Sequence, residues 1–136
     1  MATQRPPRVM DPYAERFWEF TGQRELRLQR CTECDRFRWP PGPICDSCLS
    51  EDYDWSEVSG RGTLLTWVTY RRPYFPEYPA PHTVIMVELD EGPLFVTQPH
   101  ELETGGLRDG LAMELDWLDG EDQYGEYQLP VFRPAG

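Results

Sequence analysis

Apolar positions along this chain keep two different rhythms, and each predicts its own kind of element. Near the start, Tyr13, Phe17 and Phe20 recur at the three-to-four-residue spacing of a helix face, with Trp18 beside them. Asp11 followed by Pro12 has the form of an N-cap with proline at the first helical position, and Thr21-Gly22 supplies a stop. The expectation is an N-terminal helix within residues 11–25. A helix of about ten residues is too short to stand alone in water, so its rings dock either on the rest of this chain or on a partner protein. Phe17, Trp18 and Phe20, together with Trp39, are the candidate partner-binding residues. Residues 1–10, rich in proline and arginine, predict a disordered leader.

Further on, the rhythm shortens to two. Leu26 and Leu28 alternate with Arg27 and the pair Gln29-Arg30 in a short strand. From Gly60 the pattern is all-β. Thr63 to Tyr70 carries apolar residues on both faces, Leu64, Val68 and Tyr70 on one and Leu65 and Trp67 on the other, which predicts a strand buried on both sides. Val84 to Leu89 is the next strand, and Asp90 to Pro93 turns it into Leu94 to Gln98. Leu111, Met113, Leu115 and Trp117 then alternate with polar or small residues, giving one dry face and one wet face. An acidic turn, Asp119 to Glu126, leads to a last strand ending near Phe132. Five strands in about 75 residues fit a small, partly open barrel of the OB type.

Between the helix and the barrel, the segment CTECDRFRWPPGPICDSC changes the chemistry. Cys31 and Cys34 form one Cys-x2-Cys pair, and Cys45 and Cys48 form a second. A two-residue spacer points both thiolates of a pair into one knuckle, and two facing knuckles supply the four soft ligands that tetrahedral Zn²⁺ prefers. Four thiolates leave no open position for water or substrate, so the expected role is structural. Disulfides need an oxidising compartment that nothing else suggests, a thioredoxin-like pair needs a βαβ pattern, and rubredoxin-type iron usually comes with a longer gap between the pairs. The fold class predicted is mostly β: an N-terminal helix, a zinc ribbon over 26–54, and a five-stranded OB-fold barrel over 55–136.

Charge narrows the partners. The 136 residues carry a formal net charge of −11 and contain no lysine. Residues 1–50 hold eight Arg against seven acids, and residues 51–136 hold five Arg against seventeen, so the barrel half carries −12. Such a domain repels a phosphate backbone, and nucleic acid is not an expected partner. No apolar run approaches the roughly 20 residues of a membrane span. The N-terminus lacks the apolar core of a secretory signal. With four metal-bound thiolates this points to the cytoplasm.

Catalytic material is sparse. No cysteine is left for a nucleophile, and His82 and His100 lie in separate loops, each directly after a proline. The clustered acids at strand ends, Asp119, Glu121 and Asp122 among them, are expected to keep sheet edges soluble. Two features stand out. The loop from Arg71 to His82 is stiffened by prolines and offers Tyr74, Phe75 and Tyr78; with Arg71 and Arg72, Tyr74 and Phe75 are candidate contact residues, a solvated linker being the alternative. The arginine cluster Arg24, Arg27, Arg30, Arg36 and Arg38, interleaved with acids, reads as a solvated face of mixed sign, with phosphate or carboxylate recognition as the alternative.

Taken in order, these segments resemble the DUF35 family, a rubredoxin-like zinc ribbon joined to an OB-fold domain. The likeness runs through the FWE helix, ELRLQRC before the first pair, PP-x3-C-x2-C, GRGTLLTWV, VELDEGPLFV and the terminal LPVFRP. The departures are Asp35, where the family usually has glycine, and Asp46, where proline often follows the third cysteine. The resemblance implies an accessory subunit, without catalysis of its own, of a thiolase-fold acyl-CoA enzyme such as a lipid-transfer-protein-type thiolase or aldolase of steroid side-chain or aromatic degradation. Two copies are expected on a symmetric partner dimer. A nucleic-acid module is the competing class, and the barrel charge weighs against it.

Overall fold

A computed structural model describes residues 3–73, 75–76 and 79–136 of the chain. Strand β1 (Thr3–Gln4) precedes helix α1 (Pro12–Thr21), and β2 (Arg27–Cys31), β3 (Phe37–Arg38) and β4 (Tyr53–Glu57) follow. The remaining strands are β5 (Arg61–Tyr70), β6 (His82–Leu89), β7 (Leu94–Thr97), β8 (Ala112–Asp122) and β9 (Gly125–Pro134). No helix among the described residues is long and apolar enough to cross a membrane.

Helix α1 begins where its cap dictates. The Asp11 carboxylate accepts from the N–H groups of Tyr13 and Ala14 at 2.9 and 2.8 Å, and Pro12 opens the first turn. At the far end the Gly22 N–H donates to the Trp18 carbonyl at 3.0 Å. Ala14, Phe17 and Thr21 make the buried stripe. That stripe docks on this chain. Phe17 is 2% exposed inside the core, so it is not available to a partner.

The rings around it form a continuous chain. Tyr127 of β9 meets Trp18 (5.2 Å between centroids), Trp18 meets Phe17 (5.1 Å), and Phe17 meets Trp39 (4.7 Å). Trp39 then meets Phe95 of β7 (4.9 Å), and Phe95 meets Phe132, back on β9 (6.0 Å). Edge and tilted contacts of this kind add about 1 kcal/mol each beyond the area they bury. Phe20 borders the buried stripe, 5.7 Å from Trp55 and flanked by the guanidinium groups of Arg16 and Arg27. The four aromatics expected to anchor a partner therefore join helix, ribbon and barrel to one another.

Two sheets flank this joint. β3-β2-β4 is the antiparallel ribbon sheet, and β5 to β9 make the barrel. The barrel closes between β7 and β9 through a single bridge, Pro99 to Phe132. Its core of Leu64, Ile85, Val87, Phe95, Met113 and Phe132 continues into Leu26 and Leu28 of the ribbon entrance, all of them buried. Ribbon and barrel share one apolar interior.

Three expectations change. The first concerns β5, whose pairing with β6 slips between Leu64 and Thr66. This bulge reverses the alternation, so Trp67 turns toward the core while Leu65, Val68 and Tyr70 are 42, 49 and 50% exposed. The strand is not buried on both faces. Second, Asp119 to Asp122 are not a turn: they pair in register with Gln128 to Gly125, and only residues 123–124 reverse the chain. Third, residues 3–10 are not a disordered leader. β1 runs parallel to β8 at Gly120 and Glu121, and the Arg8 guanidinium grips Asp122 with two bonds of 2.8 and 3.1 Å, their side chains 8 and 0% exposed. Arg8 also lies 4.2 Å from the Tyr127 ring centroid. Gly120 leaves the space for this crossing, since a Cβ there would come 2.8 Å from the Tyr127 ring and 3.1 Å from Arg5. Burial alone would raise the Asp122 carboxyl pKa, but the bonds from Arg8 outweigh it and hold it below the ordinary value.

Candidate metal centre and contact surfaces

The ribbon folds as two copies of one turn. Cys31 ends β2, and its carbonyl accepts from the Asp35 N–H at 2.9 Å; the Cys45 carbonyl accepts from the Leu49 N–H at 3.0 Å. Each turn exits through a left-handed residue, Asp35 at φ 64° and Leu49 at φ 65°. Aspartate tolerates that region and leucine pays for it. The family resemblance marked Asp35 as standing where glycine is usual, and nothing in the sequence marked Leu49.

These turns bring the four sulfurs together. Cys31 to Cys48 is 3.5 Å and Cys34 to Cys45 is 3.6 Å between Sγ atoms, and all four lie within 4.8 Å of one another. A Zn–S bond of about 2.3 Å in a tetrahedron implies about 3.8 Å between sulfurs, whereas a disulfide is about 2.05 Å. The arrangement fits a tetrahedral metal and excludes two disulfides.

Electrostatics agree. Backbone N–H groups of Cys48 and Ser47 lower the Cys45 thiol to about 6, and the Cys34 N–H lowers Cys31. The Arg36 N–H pulls Cys34 in the same direction, yet burial and the three neighbouring sulfurs outweigh it and push it up to about 12. Four thiolates this close ionise together only with a cation between them. Cys31, Cys34, Cys45 and Cys48 would hold Zn²⁺ in a closed shell, where it organises backbone and offers no site for substrate.

The arginines beside the centre are largely paired. Arg30 lies 3.5 Å from Asp35 and Arg36 lies 3.4 Å from Asp46, so the two aspartates that depart from the family pattern each face a neighbouring cation. Arg27 binds Glu25 at 2.6 Å. Arg38 is buried, donates to the Gly42 carbonyl at 3.2 Å and lies 5.2 Å from the Tyr53 ring centroid.

Elsewhere the candidate residues spread out. Arg71 and Arg72 are exposed at the end of β5, and Phe75 is 39% exposed; Tyr74 falls outside the described residues. His82 is partly buried, which lowers its pKa, and the Arg5 charge lowers it further. His100 belongs to a cluster that the sequence did not disclose, 3.8 Å from Glu101 and 3.6 Å from Asp116. Arg133 already sits among these carboxylates, 3.5 Å from Glu101, 3.0 Å from Glu114 and 3.8 Å from Asp116. It is an ion-pair network stitching β8 to β9. Residues on different strands compose it, so no local motif marks it.

Comparison with known proteins gives the arrangement a family. Residues 18–54 match the rubredoxin-like zinc ribbon domain of ChsH2, and residues 55–118 match the C-terminal OB-fold domain of ChsH2. The chain belongs to the ChsH2 (DUF35) family. Among solved structures, this ChsH2-family chain superimposes on a chain of the Ltp2-ChsH2(DUF35) aldolase with a TM-score of 0.84 and 36% identity, covering 97% of this chain and 100% of that one. A probable enoyl-CoA hydratase alpha subunit of Thermomonospora curvata is 36% identical over 98% of this chain, which spans 43% of that relative. A 3-oxo-4,17-pregnadiene-20-carboxyl-CoA hydratase alpha subunit of Mycobacterium tuberculosis is 27% identical over 86% of this chain, which spans 39% of it. The ChsH2-family chain thus spans less than half the length of these two curated relatives.

Proposed function

We propose that this chain is a non-catalytic accessory subunit of a thiolase-fold acyl-CoA enzyme, of the lipid-transfer-protein thiolase or aldolase type, acting in steroid side-chain or aromatic acyl-CoA breakdown. The observation that carries the reading is the likeness, end to end on both sides, to the chain from the Ltp2-ChsH2(DUF35) aldolase. The steroid carboxyl-CoA named in the Mycobacterium tuberculosis relative favours that substrate class. A closed four-thiolate shell supports a scaffold role, because it commits every cysteine to structure.

In this reading two copies bind one symmetric partner dimer. The exposed remainders of Trp18, Phe20 and Trp39 border the docking face, while Phe17 holds the helix in place from inside. The Arg71–His82 loop lies at the mouth of the partner's active site, where Arg71 and Arg72 meet CoA phosphates and Tyr74 and Phe75 meet the acyl chain.

Co-expression with a thiolase-fold acyl-CoA enzyme tests the reading. The expected result is a complex of two partner and two accessory chains by light scattering, with turnover of acyl-CoA only in the complex. Replacing Arg71 and Arg72 by alanine is expected to leave assembly intact and raise KM for the CoA substrate about tenfold, as the loss of a charge-assisted bond predicts. A wild-type chain that stays monomeric beside its partner would refute the accessory role. Normal KM in the double variant would remove the loop from substrate contact.

A further inference from the structure

Strand β7 is hydrogen-bonded on one side along its length, to β6. The Leu89 N–H donates to the Pro93 carbonyl at 2.9 Å. In an antiparallel ladder, bonded pairs alternate with pairs that are not bonded, so this contact fixes the phase. Val87 with Phe95 and Ile85 with Thr97 are the bonded pairs, and Leu94 and Val96 point their N–H and C=O groups away from β6. The same parity continues past the strand. The Gln98 carbonyl and the His100 N–H, on that outward side, bond to the Phe132 N–H and C=O at 3.5 and 2.9 Å. The backbone ladder stops there, and the Thr97 hydroxyl, donating to the Pro130 carbonyl at 2.7 Å, is the last link to β9; among the described residues, the outward backbone groups of Leu94 and Val96 have no partner.

A furrow follows this open edge in two halves that share Trp39 and Pro40. One half, about 620 Å³, lies beside residues 92–94 and reaches Ile44. The other, about 500 Å³, lies beside residues 95–97 and is bounded by Val9, Trp18, Leu129 and Pro130. At about 3.3 Å per residue, positions 92–97 offer an edge of about 20 Å. The acids in its walls are already engaged: Asp11 caps α1, Asp46 faces Arg36, and Glu91 accepts from the Ser59 N–H at 2.7 Å. Arg36 and Arg38 stand with Asp46 and Glu91 in the first half, so the furrow combines apolar side chain and unfilled backbone with closely balanced charge.

We infer that the β7 edge is a strand-addition site that takes an extended, mainly apolar segment of the partner enzyme; this rests on the accessory-subunit reading above. Main-chain bonds to Leu94 and Val96 supply the attachment, and the two halves of the furrow receive alternate side chains. A second copy of this chain is the wrong occupant. An edge of four residues, recessed between ribbon and helix, buries far less than the ~1,200 Å² that holds a stable pair together. Nucleic acid is also excluded as occupant, because the balanced charges of these walls release no counterions.

The test uses the complex with the thiolase-fold partner and a Val96→Pro variant. Proline removes an N–H that makes no bond inside the barrel, so zinc content and thermal midpoint are expected to match wild type. Partner affinity is expected to fall at least about tenfold, and Val96→Ala, which keeps the backbone donor, to lower it less than about threefold. Should the proline variant misfold, amide exchange in the wild-type complex decides: the Leu94 and Val96 amides are expected to slow by about 100-fold or more on assembly. Full affinity in a folded Val96→Pro, or unchanged exchange at both amides, would overturn the site and leave the accessory role standing. Failure of the wild-type chain to bind its partner would remove that role, and this site with it.

Discussion

The ribbon and the barrel reach order by different means. The ribbon sheet β3-β2-β4 has strands of two to five residues, and beyond Leu26 and Leu28 it buries few aliphatic side chains. Its turns are held by four sulfurs and by backbone bonds that need those sulfurs in place. The barrel has two long strand pairs, β5 with β6 and β8 with β9, and fills its interior with leucine, isoleucine, valine and phenylalanine. One region gets its stability from a cation, the other from water exclusion. The ring chain from Tyr127 through Trp39 to Phe132 couples the two, and a ribbon with little core of its own gains a rigid base from it.

Metal removal breaks the comparison most sharply. Binding at such centres is worth about 10 kcal/mol or more of folding energy, so chelation or Cys45→Ser is expected to abolish amide protection in β2 to β4 while β8 and β9 stay protected. Exchange measured strand by strand reads this directly, and simultaneous loss everywhere would mean that the two regions are one cooperative unit. Next in size comes the joint. Phe17→Ala is expected to cost about 3–5 kcal/mol in urea unfolding, and a double-mutant cycle with Trp39→Ala should show coupling of about 1 kcal/mol. Zero coupling would reduce the ring contact to coincidence. The smallest change improves the ribbon. Leu49 is 68% exposed at φ 65°, and glycine relieves about 1–2 kcal/mol of left-handed strain while adding back chain entropy, for a net gain of about 0.5–1 kcal/mol. A rise in the midpoint of metal-dependent unfolding would confirm it, and a fall would show that the leucine side chain holds the turn.

What the sequence disclosed follows from range. The four cysteines and the Asp11-Pro12 start of α1 are local signals, and so is the alternation of Met113, Leu115 and Trp117; each carries its own geometry. The contacts that escaped join residues far apart. Arg8 meets Asp122 across more than a hundred positions, and neither residue looks unusual in isolation. Val68 and Tyr70 read as buried because alternation assumes an unbroken ladder, and the bulge after Leu64 is a property of two strands together. The helix aromatics were legible as a sticky face, but which surface they stick to depends on where β9 and the Trp39 loop arrive. At the metal site, composition and spacing nearly suffice; at the β7 edge, only the phase of the ladder reveals which backbone groups are free.

The ring chain also has an optical consequence. Of five tryptophans, Trp18, Trp39 and Trp55 stand where ribbon, helix and barrel meet, and Trp67 and Trp117 belong to the barrel alone. Intrinsic emission from this chain therefore reports mostly on the joint. Stripping the metal would redden the fluorescence of three indoles at once, while the barrel's own partly buried pair kept its emission. The protein carries a built-in gauge of whether its two halves are still touching.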